Sequence, residues 1–334
     1  MADCGIDLFA SLLNTGLGSL QDFFHGERLQ RLELPRDPVF IIGHWRTGTT
    51  LLHELLALDG RNRCPTTFEC FAPAHFLLTE PALRGWTAFL LPGHRPADAM
   101  AMGWERPQED EFALCNMGVP SPYATMAFPN EPPQFPEYFD LERVPAPDRR
   151  RWQRMLVKFL KTVLLKRPGR LVLKSPPHTF RLPLLLELFP NARFVHMVRD
   201  PYVLYPSTIR LWKSLYAWQG YQEPRCEGLE EQVFRTLLAM HARLEATRGL
   251  VEPRRFFELR YEDLVREPIV ELRAIYRQFE LGDFERIEPA VRAYFARQAD
   301  YRTNRYELPD GLRREISRRW EPYFSRYGYP IEHV

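Results

Sequence analysis

Arg46, Lys174 and Arg199 each follow or end a short apolar run, and around them glycines, hydroxyls and a histidine recur at spacings that suit the handling of an anion. The segment Gly43-His44-Trp45-Arg46-Thr47-Gly48-Thr49-Thr50 joins Val39-Phe40-Ile41-Ile42 to a stretch in which Leu51, Leu52, Leu55, Leu56 and Leu58 fall on one side of a helix. Two glycines permit close backbone approach, Thr47, Thr49 and Thr50 offer hydroxyls, and the N–H groups at a helix start carry partial positive charge. Such a loop can cradle a phosphate. Gly43, four residues, Gly48 and then two hydroxyl residues come near the triphosphate-binding pattern G-x-x-x-x-G-K-[S/T], but Thr49 stands at the lysine position. The fixed cation is Arg46, inside the loop. Triphosphate chemistry relies on that lysine and a hydroxyl-held Mg²⁺, so the departure points to phosphate binding of another kind.

Lys174 closes Arg170-Leu171-Val172-Leu173 and leads into Ser175-Pro176-Pro177-His178. Arg199 closes Arg193-Phe194-Val195-His196-Met197-Val198, and Ser207 lies eight residues further on. With Pro201 in the first turn of a helix, Ser207 falls about two turns along it, where it can share one anion with Arg199. One anion at the first strand end and another at the third describe a nucleotide with two separated acidic groups. His178 has an unperturbed pKa of about 6.5 and suits proton removal at neutral pH. Glu109 and Glu111 are further candidates for a base, in the run Gln108-Glu109-Asp110-Glu111 after Pro107. That run also has the form of an ordinary helix start.

These residues need a scaffold that delivers strand ends to one place. The apolar runs at 39–42, 170–174 and 193–198 alternate with helical patterns and short connections, which predicts an α/β fold with a parallel, doubly wound sheet. Ligands of such sheets bind at the carboxyl ends of the strands, where all three cations stand. Further helices are expected over residues 80–91, 148–167, 182–188, 232–248, 262–281 and 312–329, and a strand over 255–259. A short amphipathic helix opens the chain, broken by Asn14, Thr15 and Gly16. Between 118 and 147 the prolines are dense and interleaved with Tyr123, Phe128, Phe135, Tyr138 and Phe139, which predicts a rigid packed loop able to wall a pocket.

The 334 residues, 45% of them apolar, can bury one large core with an insertion. A net charge of +2 argues against a general nucleic-acid binder. Cys4, Cys64, Cys70, Cys115 and Cys226 form no Cys-x-x-Cys pair and no metal-ligand spacing with histidine, so the expectation is no metal and reduced thiols in a cytoplasmic protein. The first residues lack the basic start of a signal peptide, and no apolar run reaches the roughly 18 residues of a membrane span.

In combination, the segments resemble the sulfotransferases that use 3′-phosphoadenosine 5′-phosphosulfate. The loop at 43–50 is similar to their 5′-phosphosulfate loop, and Arg199 with Ser207 resembles their 3′-phosphate motif at the matching spacing. Phe257-Glu258-Leu259-Arg260-Tyr261-Glu262-Asp263-Leu264 looks like a third segment, whose tyrosine lies near the adenine. Residues 300–307, with Arg302 and Arg305, are similar to the basic segment that closes over the 3′-phosphate. The likeness runs in order from residue 38 to about 307 and is greatest to bacterial members with Arg in the first loop, a feature shared with tyrosylprotein sulfotransferases.

The resemblance implies a P-loop-like three-layer fold in one domain over 1–334, with a helical and proline-rich insertion over about 65–150 on the substrate side. It implies in-line transfer of a sulfuryl group, without a metal, to a hydroxyl or amine of a small acceptor with an apolar or aromatic part. Arg46, Thr47, Gly48, Thr49 and Thr50 would hold the 5′ end of the donor. Arg199, Ser207, Tyr261, Arg302 and Arg305 would hold the rest, and Lys174 would bridge sulfate and leaving oxygen. His178 and Glu69 are the leading bases, Glu69 by a loose match to the tyrosylprotein branch. Acceptor identity and oligomeric state are not legible. A P-loop kinase or NTPase, and a nucleotide-binding protein without turnover, are the alternative readings.

Overall fold

The computed structural model describes residues 4–86, 103–297 and 306–332. Strands β1 (Val39–Gly43), β2 (Asn62–Arg63), β3 (Arg170–Lys174), β4 (Arg193–Val198) and β5 (Phe256–Arg260) form one sheet in the order β2-β3-β1-β4-β5. Every pairing is parallel, with Ile41 opposite Lys174 on one side of β1 and Gly43 opposite Met197 on the other. Gly43, Lys174 and Val198 therefore leave the sheet at the same edge. The expected α/β architecture is the observed one.

Side chains alternate across the strands and fill two cores. Phe40, Ile42, Leu171, Leu173 and Phe194 pack with Trp152, Leu156 and Phe159 of the helix Ala146–Lys166. Val39, Ile41, Val172 and Val195 face Leu52, Leu55 and Leu56 of the helix Thr49–Ala57, together with Leu272 and Ile275. Burial on both faces is why β1, buried at all five positions, reads as a continuous apolar run. A third cluster gathers Trp45, Tyr123, Phe180, Tyr202, Trp212, Trp320 and Tyr323. It ties the loop after β1 to the helix Pro201–Gln219 and to the C-terminal helices.

Several elements differ from expectation. The opening helix is one continuous element, Cys4–Arg31. Its hydroxyls bond back to the preceding turn, Thr15 Oγ1 to Ser11 O at 2.8 Å and Ser19 Oγ to Thr15 O at 3.0 Å, so they do not interrupt it. The stretch expected as one helix over 262–281 is Tyr261–Arg266 followed by Pro268–Gln278, because a proline cannot donate inside a helix and starts a new one. Likewise 312–329 divides into Asp310–Arg319 and Glu321–Tyr327, the second opening with Pro322 in its first turn. The helix expected over 80–91 begins earlier, at Phe76, and the end predicted for it lies outside the described residues. The two polar residues of β2 gave no strand signal. Residues 118–145 hold only the short 3₁₀ turns Pro122–Met126 and Pro136–Tyr138, and the helix Ala146–Lys166 follows.

The acidic run is the feature that most directly shapes the site. It opens the helix Asp110–Asn116, and its carboxylates meet the segment that follows β3 residue by residue. Glu109 Oε1 lies 2.5 Å from Lys174 Nζ, Asp110 accepts from Ser175 Oγ at 2.9 Å and holds His178 Nε2 at 2.7 Å, and Glu111 Oε2 lies 2.5 Å from Arg181 Nη1. Arg181 also donates to the carbonyls of Phe139 at 3.0 Å and Tyr138 at 2.6 Å, which fastens the proline-rich loop to the same row. Both members of the Arg181–Glu111 pair are fully buried. Removing one partner of such a pair strands a charge and costs about 3–5 kcal/mol. Glu111→Ala should therefore destabilise the protein by about that amount in urea unfolding, and Glu111→Leu combined with Arg181→Met should recover most of the loss.

Candidate active site

The loop after β1 is held by backbone conformations that only certain residues adopt easily. Gly43 has φ 137°, and a Cβ there would lie 2.5 Å from Met197 O and 2.9 Å from Thr47 Oγ1. Thr47 closes the turn, its N–H and hydroxyl both donating to His44 O at 3.2 and 2.7 Å. Arg46 is left-handed at φ 74°, an uncommon state for a side chain of its size. In that state its Nε donates to Ser207 Oγ at 2.9 Å, and its carbonyl accepts from Arg199 Nη1 at 2.9 Å. Gly48, at φ 94°, precedes the helix Thr49–Ala57 and provides no side-chain cap to its first turn.

Gly48 and Arg199 meet at one ring. A Cβ on Gly48 would fall 2.3 Å from Tyr261 Cδ2, and the Arg199 guanidinium sits 4.0 Å above the Tyr261 ring centroid. Arg199 is further braced from the C-terminus, its N–H donating to Tyr323 Oη at 3.2 Å. Arg46, Gly48, Arg199, Ser207 and Tyr261, distant in sequence, thus form one cluster. Thr47, Thr49 and Thr50 belong to the same loop and helix start, whereas Arg302 and Arg305 lie outside the described residues.

A second cluster lies beside the first. Lys174 is 1% exposed and Glu109 takes its ammonium; the other Glu109 oxygen accepts from the Tyr123 hydroxyl. Trp45 Nε1 donates to Tyr123 Oη at 3.2 Å, so the residue next to Arg46 reaches the carboxylate of Glu109 through one phenol. Burial, reinforced by the charge of Glu109, raises the Tyr123 pKa well above the usual phenol value, and Tyr123 stays a donor. A slot lined by Trp45, Tyr123, Phe139, Trp212 and Val233 opens beside this pair.

The two residues expected to lead as bases are committed elsewhere. His178 has no exposed surface; its Nε2 is held by Asp110, its Nδ1 has no hydrogen-bond partner and its ring stands edge-on to Phe40 at 5.4 Å. Burial alone would raise the Asp110 pKa, but the charge of His178 and hydrogen bonds from His178 and Ser175 bring it below the ordinary value. Glu69 is also buried, its Oε2 accepting from Thr66 N at 2.8 Å in a capping box and its Oε1 lying 2.7 Å from Lys166 Nζ. Glu109, ranked behind both in the sequence reading, is the carboxylate beside Lys174. Its 65-residue separation from Lys174 left no spacing to read.

Two outcomes test the loop. Gly48→Ala must place a side chain in a left-handed backbone, at about 1–2 kcal/mol, and against Tyr261. It should lower the urea midpoint and weaken binding of adenosine 3′,5′-bisphosphate about tenfold or more, whereas Gly60→Ala, with nothing within 4 Å of the added carbon, should do neither. His44 is buried, and desolvation lowers its pKa to about 4 from 6.5 despite the hydrogen bond to Trp45 O. The unfolded chain binds this proton at higher pH than the folded one, so stability must fall as pH drops from 6.5 towards 4, by up to about 3 kcal/mol. Comparing urea unfolding at neutral and acidic pH for wild type and His44→Gln isolates that slope.

A profile described as the sulfotransferase family matches residues 38–286. The omega-hydroxy-beta-dihydromenaquinone-9 sulfotransferases Stf3 of Mycobacterium bovis and Mycobacterium tuberculosis are each 48% identical over 321 residues, covering 96% of this chain and 82% of theirs. In fold, the chain is similar to the crystal structure of sulfotransferase STF9 from Mycobacterium avium, with TM-score 0.74 at 21% identity over 95% of this chain and 83% of that one. It is also similar to STF1 from Mycobacterium tuberculosis H37Rv, with TM-score 0.65 at 20% identity over 92% and 81%. The order of elements, the loop cluster and these likenesses agree, and the chain belongs to the sulfotransferase family.

Proposed function

We propose that the enzyme transfers a sulfuryl group from 3′-phosphoadenosine 5′-phosphosulfate to the hydroxyl of a lipophilic acceptor of the polyprenyl-quinol class. What carries this reading is the Lys174–Glu109 pair, 2.5 Å apart at the same sheet edge as Arg46. Around it the chain fits the two ends of the donor. The uncapped start of Thr49–Ala57, with Thr47, Thr49 and Thr50 and the planar fork of Arg46, suits the 5′-phosphosulfate. Arg199 and Ser207 suit the 3′-phosphate, with Tyr261 beside the adenine and Arg302 and Arg305 as further cations.

Each side chain then has one task. Glu109 takes the proton of the acceptor hydroxyl, whose oxygen forms a bond to sulfur as the bond from sulfur to the 5′-phosphate oxygen breaks. Lys174 and Arg46 offset the negative charge that grows on the leaving oxygen in a site shielded from water. Tyr123, anchored to Trp45, orients the Glu109 carboxylate. The acceptor class rests on the Stf3 relatives, and the aromatic residues Trp45, Tyr123, Phe139 and Trp212 near Glu109 supply apolar contact surface for such an acceptor.

Substitution separates these roles. Lys174→Ala should keep affinity for adenosine 3′,5′-bisphosphate, read by calorimetry, while transfer falls about 10²–10³-fold. Glu109→Gln should lower kcat about 10²–10⁴-fold with KM little changed, and His178→Gln should lower the unfolding midpoint and leave the pH profile of kcat where it was. Full turnover in Glu109→Gln, with activity lost in a stably folded His178→Gln, would reverse the assignment of the base.

A further inference from the structure

The helix Cys4–Arg31 is amphipathic in the wrong sense for a helix packed on a protein core. The side that faces the rest of the chain is mixed: Leu29 is buried and Leu17 half-buried, while Gln21 donates to Ala74 O at 2.8 Å and accepts from Leu77 N at 2.9 Å, and Asn14 Oδ1 meets His75 Nε2 at 2.8 Å. The opposite side carries Leu12, Leu13, Leu20, Phe23 and Phe24, exposed at 65, 50, 45, 83 and 59%. At 100° per residue these five span about a third of the circumference, centred opposite Gly18 and the buried Leu29. An apolar stripe of this size is a surface that another phase or partner covers.

Two neighbouring features identify the occupant. The first is charge. Lys158 pairs with Asp22 at 2.6 Å and Lys161 donates to Gln30 O at 3.4 Å, so one stripe of the helix Ala146–Lys166 runs against the opening helix. At intervals of four residues that stripe continues as Arg154 and Arg150, both exposed. The second is a track of rings. Phe71, 43% exposed and three residues before Ala74, stacks on Phe112 at 6.2 Å; Phe112 meets Tyr123 edge-on at 5.0 Å, and Tyr123 bonds Glu109. The apolar stripe, the two exposed arginines and the ring track thus belong to elements in direct contact with the opening helix or, for the rings, with residues beside its partner Ala74.

We propose that this face docks on an anionic lipid bilayer, with the opening helix lying in the interfacial plane and the enzyme drawing its acceptor from the membrane. The apolar stripe enters the boundary between headgroups and acyl chains, while Arg150 and Arg154 meet anionic headgroups. The mode is lying, not spanning: among the described residues no helix is long and apolar enough to cross a membrane. A second copy of the chain could cover the stripe but would leave the basic ridge and the ring track without a purpose. The membrane as source of acceptor rests on the polyprenyl-quinol reading above; the docking itself does not.

The test uses the full chain and sucrose-loaded vesicles of phosphatidylcholine and phosphatidylglycerol in equal parts, with no acceptor present. Wild type should sediment with them at low salt. The triple variant Leu20→Gln, Phe23→Gln, Phe24→Gln should lose about tenfold or more in partition, the order expected for removing about three inserted apolar side chains. Its transfer to acceptor in detergent micelles should be unchanged, whereas transfer to acceptor embedded in vesicles should fall with binding. Arg150→Glu with Arg154→Glu, which leaves the helix intact, should weaken binding to these vesicles and not to phosphatidylcholine alone. Wild type that stays in the supernatant overturns the proposal. So does a wild-type dimer that the triple variant converts to monomer with vesicle binding unaltered. Vesicle binding without transfer to any polyprenyl quinol sinks the acceptor reading alone, and transfer in micelles without vesicle binding sinks the docking face alone.

Discussion

Lys174 arrives in the interior at the end of a strand whose preceding three residues are buried and apolar, and a buried ammonium without a counter-charge is too costly for a folded protein to keep. The chain meets this constraint with Glu109, and repeats the solution at Asp110 for His178 and at Glu111 for Arg181. Three adjacent residues pointing in different directions can do this because they stand at a helix start, where the backbone is leaving one conformation for another. The outer two pairs are closed to solvent and serve as anchors. The first differs in that the Glu109 side chain keeps 13% of its surface exposed. Position along one row thus sets how far each pair is closed off from water.

The same economy appears in the loop after β1. Arg46 adopts a left-handed backbone because its carbonyl is held by Arg199 and its guanidinium by Ser207, two contacts that offset the strain. Gly43 and Gly48 cannot carry side chains, the first for want of room at Met197 and the second at Tyr261. Each of these partners belongs to a different strand or helix, so the cradle forms only when the parallel sheet has brought β4 and β5 alongside β1.

The sheet and the meeting of Arg46, Arg199, Ser207 and Tyr261 were legible because their signals are local and categorical. A continuous apolar run, a glycine, a cation and a change to helical period occur within about a dozen residues around Arg46, and similar punctuation surrounds Lys174 and Arg199. The acceptor-side cluster was not legible in the same way. Nothing in the sequence distinguishes the helix-start reading of Glu109-Asp110-Glu111 from its site reading; the structure shows the helix start and brings Glu109 against Lys174. Tyr123 was seen as one aromatic among five in a proline-rich loop, and its bond to Glu109 depends on tertiary contact alone. His178 had the right chemistry and proximity in sequence, but the turn Pro176–Phe180 directs its ring into the core against Phe40. The continuity of the opening helix escaped because propensity at Asn14, Thr15 and Gly16 is a weak term beside the hydrogen bonds that Asn14 and Gln21 make to residues 74–77.

Consecutive residues of one loop also connect the two halves of the site. Arg46 faces Ser207 and Arg199, while Trp45 turns the other way, stacking edge-on with Trp212 and donating to Tyr123, which holds Glu109. Because both project from a few strained bonds of backbone, neither can shift far without moving the other. Arg46 is thereby joined to the Glu109 carboxylate through Trp45 and Tyr123, a path of two side chains. That geometry ties the conformation of the loop after β1 to the surroundings of Glu109, and it rests on the two glycines that let the loop close.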